Sequence, residues 1–333
     1  MKLLLVEEQE VYSLLPMADC IEVMAEMFGT LARGDAVQPL RQAVWQPDRK
    51  GVLGLMPAYL GNPRAIGAKV ISVFPGNVNT PYESHQGVVL LFECEFGRLL
   101  AVIDASAVTA VRTAAVSALA TRLLAREEAS TLAILGSGTQ ASMHLQAMGA
   151  VRPIGRARVW SRTPERARRF VQRESARYPF PVEAVASAEE AVRGADIICT
   201  TTAAIAPILE GCWLEPGAHV NAVGASRQGF RELDSEAVAR SGLFVDRRES
   251  TFNEAEDFLA PRQEGLIGDD HILGEIGELV LGKVAGRVNA DDITLFKSLG
   301  LAVEDLAAAD HIYKKALEGG LGSWLEFGGE RHE

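Results

Sequence analysis

Apolar positions along the chain change their spacing several times, and each change predicts a different kind of element. Residues 2–6 form a short apolar run that reads as a strand. From Met17 to Ala32, Ile21, Met24, Phe28 and Leu31 recur on one face, the spacing of an amphipathic helix. Between Arg41 and Val102 the pattern becomes strand-like. The runs RQAVWQ, GVLGLMPAYL, AIGAKVISVF, GVVLLFE and RLLAVIDA follow one another, separated by Gly, Pro and Asn. Sequential strands without intervening helices predict a largely antiparallel or mixed sheet. A long helix then starts at Asp104, with Val108, Val111, Ala115, Leu119 and Leu123 continuing its apolar positions. After Glu127, strand-like TLAILG, ARVWSRT, PVEAVAS, DIICTT, HVNAVG and GLFVD alternate with several helical segments. That alternation predicts a doubly wound parallel sheet, so the fold class is α/β.

Composition narrows the function. A chain of 333 residues is long enough for about two domains. Its net charge of −11 disfavours tracking a phosphate backbone, and no nucleic-acid partner is expected. Cys20, Cys94, Cys199 and Cys212 form no CxxC pair, and no metal is expected. The start, MKLLLVEEQEV, turns acidic too soon for a secretion signal. No apolar run approaches the ~18 residues of a membrane helix. The expected location is cytoplasmic, with no membrane partner.

The stretch LAILGSGTQA, residues 132–141, carries chemistry. A strand runs into a GxGxxA corner at Gly136, Gly138 and Ala141, and a helix follows. Gly136 allows the tight turn, Gly138 lets the backbone approach a pyrophosphate, and Ala141 permits close helix–strand packing. The helix N-terminus would then face the phosphates. The second strand ends in Trp160-Ser161-Arg162-Thr163, without the carboxylate that binds a ribose 2′-OH in NAD-preferring sites. Arg162 can pair with a 2′-phosphate, so NADPH is the expected cofactor, with NADH possible. The expected cofactor-binding residues are Gly136, Ser137, Gly138, Thr139 and Gln140 at the corner, and Ser161, Arg162 and Thr163 at the second strand. Thr201, Val223 and Gly224, at the ends of later strands, complete the set.

Ahead of this element, three cations stand among apolar neighbours: Arg41, Lys69 in AIGAKVISVF, and Arg112 in ASAVTAVRTAAVSALA. Taken together they suit a carboxylate; taken singly, each also fits a snorkelling stem or a salt bridge to a protein acid. Ser84 and His85 precede a buried strand, where the histidine fits either a proton carrier or a structural role.

The ordered pieces MPAY, SHQ followed by VLLFE, RTAAVSALAT, ILGSGTQA, VWSRT, PILEGCWLEPGAHVNAVGASR, RELD and LFKSLGLAVEDL resemble the ornithine cyclodeaminase and mu-crystallin family, from about Arg41 to Asp305. The resemblance implies an α+β substrate-binding and dimerisation domain, residues 1–115 and 305–333. A Rossmann-type domain, residues 116–304, is inserted after it. It also implies a homodimer whose N-terminal sheets join. Family cations that bind a substrate carboxylate match Arg41, Lys69 and Arg112, and Ser84 with His85 matches the mu-crystallin-like branch.

Members of this family differ in chemistry. Cyclodeaminases carry an acid/base Asp after NAVG, whereas here Ser226 stands in NAVGASR. Deaminating ornithine requires a base; reducing an already electrophilic cyclic imine mainly requires orientation. The expected reaction is NADPH-dependent reduction of a cyclic ketimine, 1-pyrroline-2-carboxylate or 1-piperideine-2-carboxylate, to proline or pipecolate. Arg41, Lys69, Ser84, His85, Arg112 and Ser226 would contact the imino acid, and Lys69 or His85 would supply the proton. Ornithine cyclodeamination, alanine- or opine-type dehydrogenation, and a crystallin-like binding protein without turnover are the alternatives.

Overall fold

The computed structural model describes residues 2–329, leaving out the side chains of Val78 and Asn79. It divides into two compact units. One comprises the described residues of Met1–Arg112 and Leu301–Glu333, the other Thr113–Gly300.

The first unit contains β1 (Lys2–Val6), α1 (Glu8–Leu14), α2 (Met17–Ala32), β2 (Ala36–Val37), β3 (Gln42–Trp45), β4 (Val52–Gly61), β5 (Arg64–Val73), β6 (His85–Phe92) and β7 (Leu99–Asp104). Helix α3 (Ala105–Leu124) follows, and the division between the units falls inside it. The predicted mixed sheet is present. Strands β4 to β7 form an antiparallel meander, and β1 pairs with β7 in parallel. Directly opposed residues share a face of a pleated sheet. Met56, Lys69 and Val89 are opposed in this way, as are Ala58, Gly67 and Leu91. This face also carries Ala101 and Ile103, all buried, and α2 and the late helix α11 (Ala302–Gly319) pack in this unit. On the opposite face, Leu53, Leu55 and Ile66 remain 48, 38 and 42% exposed.

The second unit runs β8 (Thr131–Leu135), α4 (Thr139–Val151), β9 (Arg156–Trp160), α5 (Pro164–Glu174), β10 (Val182–Ala184), α6 (Ala188–Val192), β11 (Ile197–Thr200) and β12 (His219–Ala222). It continues through α7 (Ser235–Ala239), β13 (Gly242–Val245), α8 (Arg248–Glu254), α9 (Glu256–Gln263), β14 (Ile272–Glu275), α10 (Ile276–Val280) and β15 (Thr294–Lys297). Its eight strands are all parallel, in the order β10-β9-β8-β11-β12-β15-β13-β14. The chain moves outward from β8 through β9 and β10, then returns to the other side of β8 at β11. That reversal is the crevice where doubly wound sheets bind ligands. Together the two units give the expected class, a Rossmann-type parallel sheet following an α+β element set.

The structure departs from the sequence reading at α3 and in the strands of the second unit. Helix α3 is 20 residues long with only Arg112 and Arg122 charged, which is long and apolar enough to span a membrane. Its apolar window is 83% buried within the protein, so it is a core helix. Strands β14 and β15 are absent from the predicted series; β14 is at one edge of the sheet, and β15 lies centrally between β12 and β13. Within residues 257–271, α9 takes the first part, and Asp257 is buried.

Candidate active site

In the first unit, Lys69 projects from β5 on the buried face, and Arg112 closes the part of α3 that belongs to this unit. Both are 4% exposed. Of the readings open for Arg112, the structure shows the salt bridge to protein acids. Its Nε donates to Asp305 Oδ1 at 2.9 Å and its Nη1 to Glu304 Oε2 at 2.6 Å. Lys69 Nζ lies 2.6 Å from Asp305 Oδ2 and donates weakly to Thr109 Oγ1 at 3.4 Å. Glu304 also accepts the Leu301 amide at 3.0 Å. Both acids sit in the first turn of α11, where carboxylates are favoured by the free amides of the helix start.

Two cations and two acids, all nearly excluded from water, interact strongly because little solvent screens them. Burial pushes the Lys69 ammonium down to about 8; Asp305 opposes this, while Arg112 and Arg41 reinforce it. Burial also disfavours charge on Asp305, but Arg112 and Lys69 outweigh it and hold its carboxyl below the usual range. Arg112 is destabilised by burial and more than compensated by Asp305 and Glu304, so it stays charged. Lys69 is therefore the member of the group that can exchange a proton near neutrality.

Half-buried Arg41 precedes β3, and its charge reaches Lys69. His85 is less closely placed. It pairs with Val73 while Lys69 pairs with Val89, so the two lie four residues apart along the β5–β6 ladder. At about 3.4 Å per residue that is roughly 14 Å of strand. The His85 ring is exposed and shares a 2.9 Å hydrogen bond through Nδ1 with Ser84 Oγ. Thus Lys69, Arg112 and Arg41 are brought together, and His85 with Ser84 forms a separate pair at the start of β6.

In the second unit, the ends of β8, β11 and β12 stand side by side. Gly136 has φ +137°, and its amide donates to the Trp160 carbonyl at 2.8 Å, closing the corner. A Cβ there would press on the Thr201 backbone, with the carbonyl oxygen at 2.9 Å. Gly138, by contrast, has nothing within 4 Å of where its Cβ would be, and no side chain caps α4. Open space beside an uncapped helix start fits a phosphate-bearing ligand. Ala141 is fully buried, as close helix–strand packing requires. His144 holds α4 in place. Burial lowers it to about 4, so it is neutral, and its Nε2 shares a 2.9 Å bond with Ser117 Oγ.

Ser137 Oγ donates to Ser161 Oγ at 3.1 Å, joining the corner to the end of β9. Arg162 and Thr163 are exposed beside it, as are Thr139 and Gly138, while Gln140 is half-buried. Thr201 donates through its amide and hydroxyl to the Leu135 carbonyl, at 2.8 and 3.2 Å. Val223 and Gly224 both donate to the Thr200 carbonyl. Half-buried Ser226 follows on the same turn.

Sequence reasoning missed Glu304 and Asp305 as functional residues. The signal was two adjacent acids interrupting the apolar run Leu299–Leu306. It also missed Glu232, Asp257 and Lys297, all buried in the second unit and joined by hydrogen bonds.

The model of the ornithine cyclodeaminase/mu-crystallin family matches residues 1–320. The chain is 44% identical over 280 residues to the ketimine reductase mu-crystallin of Mus musculus, covering 84% of this chain and 85% of that protein. Its fold matches Thermococcus litoralis Delta(1)-pyrroline-2-carboxylate reductase, solved with NADH and L-proline. The TM-score is 0.93 at 38% identity, covering 96% of this chain and 99% of that one. It also matches an archaeal alanine dehydrogenase dimer with bound NAD, with a TM-score of 0.92 at 33% identity, covering 98% of this chain and all of that one. The chain belongs to the ornithine cyclodeaminase/mu-crystallin family, and it is an NAD(P)H-dependent oxidoreductase.

Proposed function

We propose that the protein reduces cyclic ketimines bearing a carboxylate, 1-pyrroline-2-carboxylate or 1-piperideine-2-carboxylate, to proline or pipecolate, with NADPH as the preferred reductant. The observation that carries this is the buried Lys69–Arg112–Asp305–Glu304 group with Arg41 nearby, combined with Ser226 in place of an acid. The relatives support it: one is a ketimine reductase, and another binds NADH with L-proline.

A nicotinamide dinucleotide held by the second unit would supply hydride for the imine carbon. The nitrogen takes a proton, so imine, NADPH and one proton give amine and NADP⁺. Arg112 and Lys69 hold the carboxylate, with Arg41 adding charge. Glu304 and Asp305 fix the Arg112 guanidinium in one orientation before ligand arrives, which lowers the ordering cost of binding. Lys69, drawn down to about 8, holds the proton for the imine nitrogen. His85 stands farther along the strand and is the second choice for that role. In the other unit, the Gly136–Gly138 corner and the start of α4 bind the pyrophosphate. Ser161, Arg162 and Thr163 meet the 2′-phosphate. The apolar sheet face bearing Leu53, Leu55 and Ile66 supports a homodimer built through the first unit.

The test is a panel of both imines, ornithine, alanine and pyruvate with ammonia, each with NADPH and NADH. Imine reduction should exceed every other turnover by at least about 100-fold, since a missing general base typically costs 10²–10⁴ in deamination. Ornithine consumed faster than either imine would refute the assignment.

A further inference from the structure

Two motifs of the chain, Arg231-Glu232-Leu233-Asp234 and Leu295-Phe296-Lys297-Ser298-Leu299-Gly300, have no part in the sites above. In the folded unit they meet. Glu232 is fully buried, and five donors surround its carboxylate. Oε1 accepts from the Thr202 amide at 2.6 Å and the Thr202 hydroxyl at 2.7 Å. Oε2 accepts from the Thr200 hydroxyl at 2.8 Å and the Gly224 and Ala225 amides at 2.7 and 3.2 Å. These donors belong to the last residue of β11 with the turn after it, and to the turn after β12. Gly224 lies so close to the Thr202 backbone that a Cβ would overlap it, so the two turns touch main chain to main chain.

Behind Glu232 stands a second layer. Its own amide and that of Leu233 donate to Asp257 Oδ1 at 2.9 and 3.0 Å. Asp257 Oδ2 accepts from Lys297 Nζ at 2.9 Å, at the end of β15. Asp257 and Lys297 are 2 and 1% exposed. Burying such charges costs several kcal/mol, and well-packed apolar residues would commonly stabilise a fold as much or more. Stability alone is therefore a poor reason for the arrangement. Its place is informative: every turn donor lies at the carboxyl ends of parallel strands, beside the reversal in strand order.

We propose that Glu232 is a positioning residue for the dinucleotide. It ties the turn carrying Thr201 to the turn carrying Val223 and Gly224, and Lys297 holds it in place through Asp257. The inference rests on the reading that these turns flank the bound cofactor. Without the tie, the two turns move independently, and dinucleotide binding must order them first.

Glu232→Gln keeps the size of the side chain but turns one acceptor into a donor facing amides. Thr202→Val removes one of the five donors and the acceptor of the Ala204 amide, and leaves the other four donors. Full-length variants would be titrated with NADPH by nicotinamide fluorescence, then assayed for kcat at saturating NADPH and for KM of the imine. Glu232→Gln should weaken NADPH binding about 10-fold or more, and Thr202→Val about 2–5-fold. The kcat at saturation and the KM for imine should stay within about threefold. A purely structural role would lower melting temperature and active fraction while leaving the dissociation constant of the folded enzyme unchanged. Wild-type NADPH affinity in folded Glu232→Gln would overturn the proposal. If that variant does not fold, unchanged affinity in Thr202→Val would overturn it. A wild type that binds no nicotinamide dinucleotide would instead overturn the cofactor reading, and this inference with it.

Discussion

Gly136 and Gly138 lie two residues apart in one motif, yet substituting alanine should damage different properties. At Gly136 the φ of +137° is one that L side chains rarely adopt, costing about 1–3 kcal/mol. The added methyl would also press on the Thr201 carbonyl oxygen, 2.9 Å from its position. Overpacking of this kind adds about 1–2 kcal/mol. The sum, about 2–5 kcal/mol, corresponds to a melting shift of roughly 5–15 °C for a unit of this size. At Gly138 the backbone is extended, φ −93° and ψ −167°, and a methyl meets no protein atom within 4 Å. Restricting the unfolded chain gains about 0.4–1 kcal/mol, and an alanine at a helix N-cap loses about as much. Gly138→Ala should therefore melt within about 2 °C of wild type. Its methyl occupies the space left for the pyrophosphate, so NADPH and NADH should both bind about 10–100-fold more weakly, or 1.4–2.8 kcal/mol. Thermal melts without ligand and fluorescence titrations with each dinucleotide separate the two effects. Gly138→Ala binding within twofold of wild type, or melting as low as Gly136→Ala, would refute the reasoning.

Two further outcomes are expected. Arg162→Ala should lose about 5–30-fold in kcat/KM with NADPH and less than twofold with NADH, the modest size reflecting an exposed guanidinium screened by water; equal losses with both cofactors would remove Arg162 from the phosphate site. In the free protein Lys69 loses its proton as pH rises through about 8, so kcat/KM for the imine should be intact below that value and fall tenfold per unit above it. The residual activity of Lys69→Gln should lack this limb, and a limb that persists there would assign the proton to another group.

The sequence by itself determined the kinds of elements and the cofactor corner. Both rest on local rules: a period of two or about 3.6 in apolar residues, and glycines where a strand must turn tightly into a helix. It also marked Lys69 and Arg112, because a charge within an apolar run is conspicuous without knowing its neighbours. Their surroundings were decided by tertiary structure. Arg112 meets Asp305 across 193 positions of chain, and Glu232 and Lys297 meet Asp257 from three separate segments. No local period encodes such meetings, since a salt bridge looks the same in sequence as two solvated charges. Strand β15 shows the same limit. Its four residues read as an ordinary apolar run, and only pairing with β12 and β13 places it inside the sheet. His85 is the converse case: the resemblance offered it as the alternative to Lys69 for the proton, and the register of β5 against β6 sets the two about four residue spacings apart. Strand register depends on which apolar faces are buried together, so it is a property of the assembled sheet rather than of either strand alone.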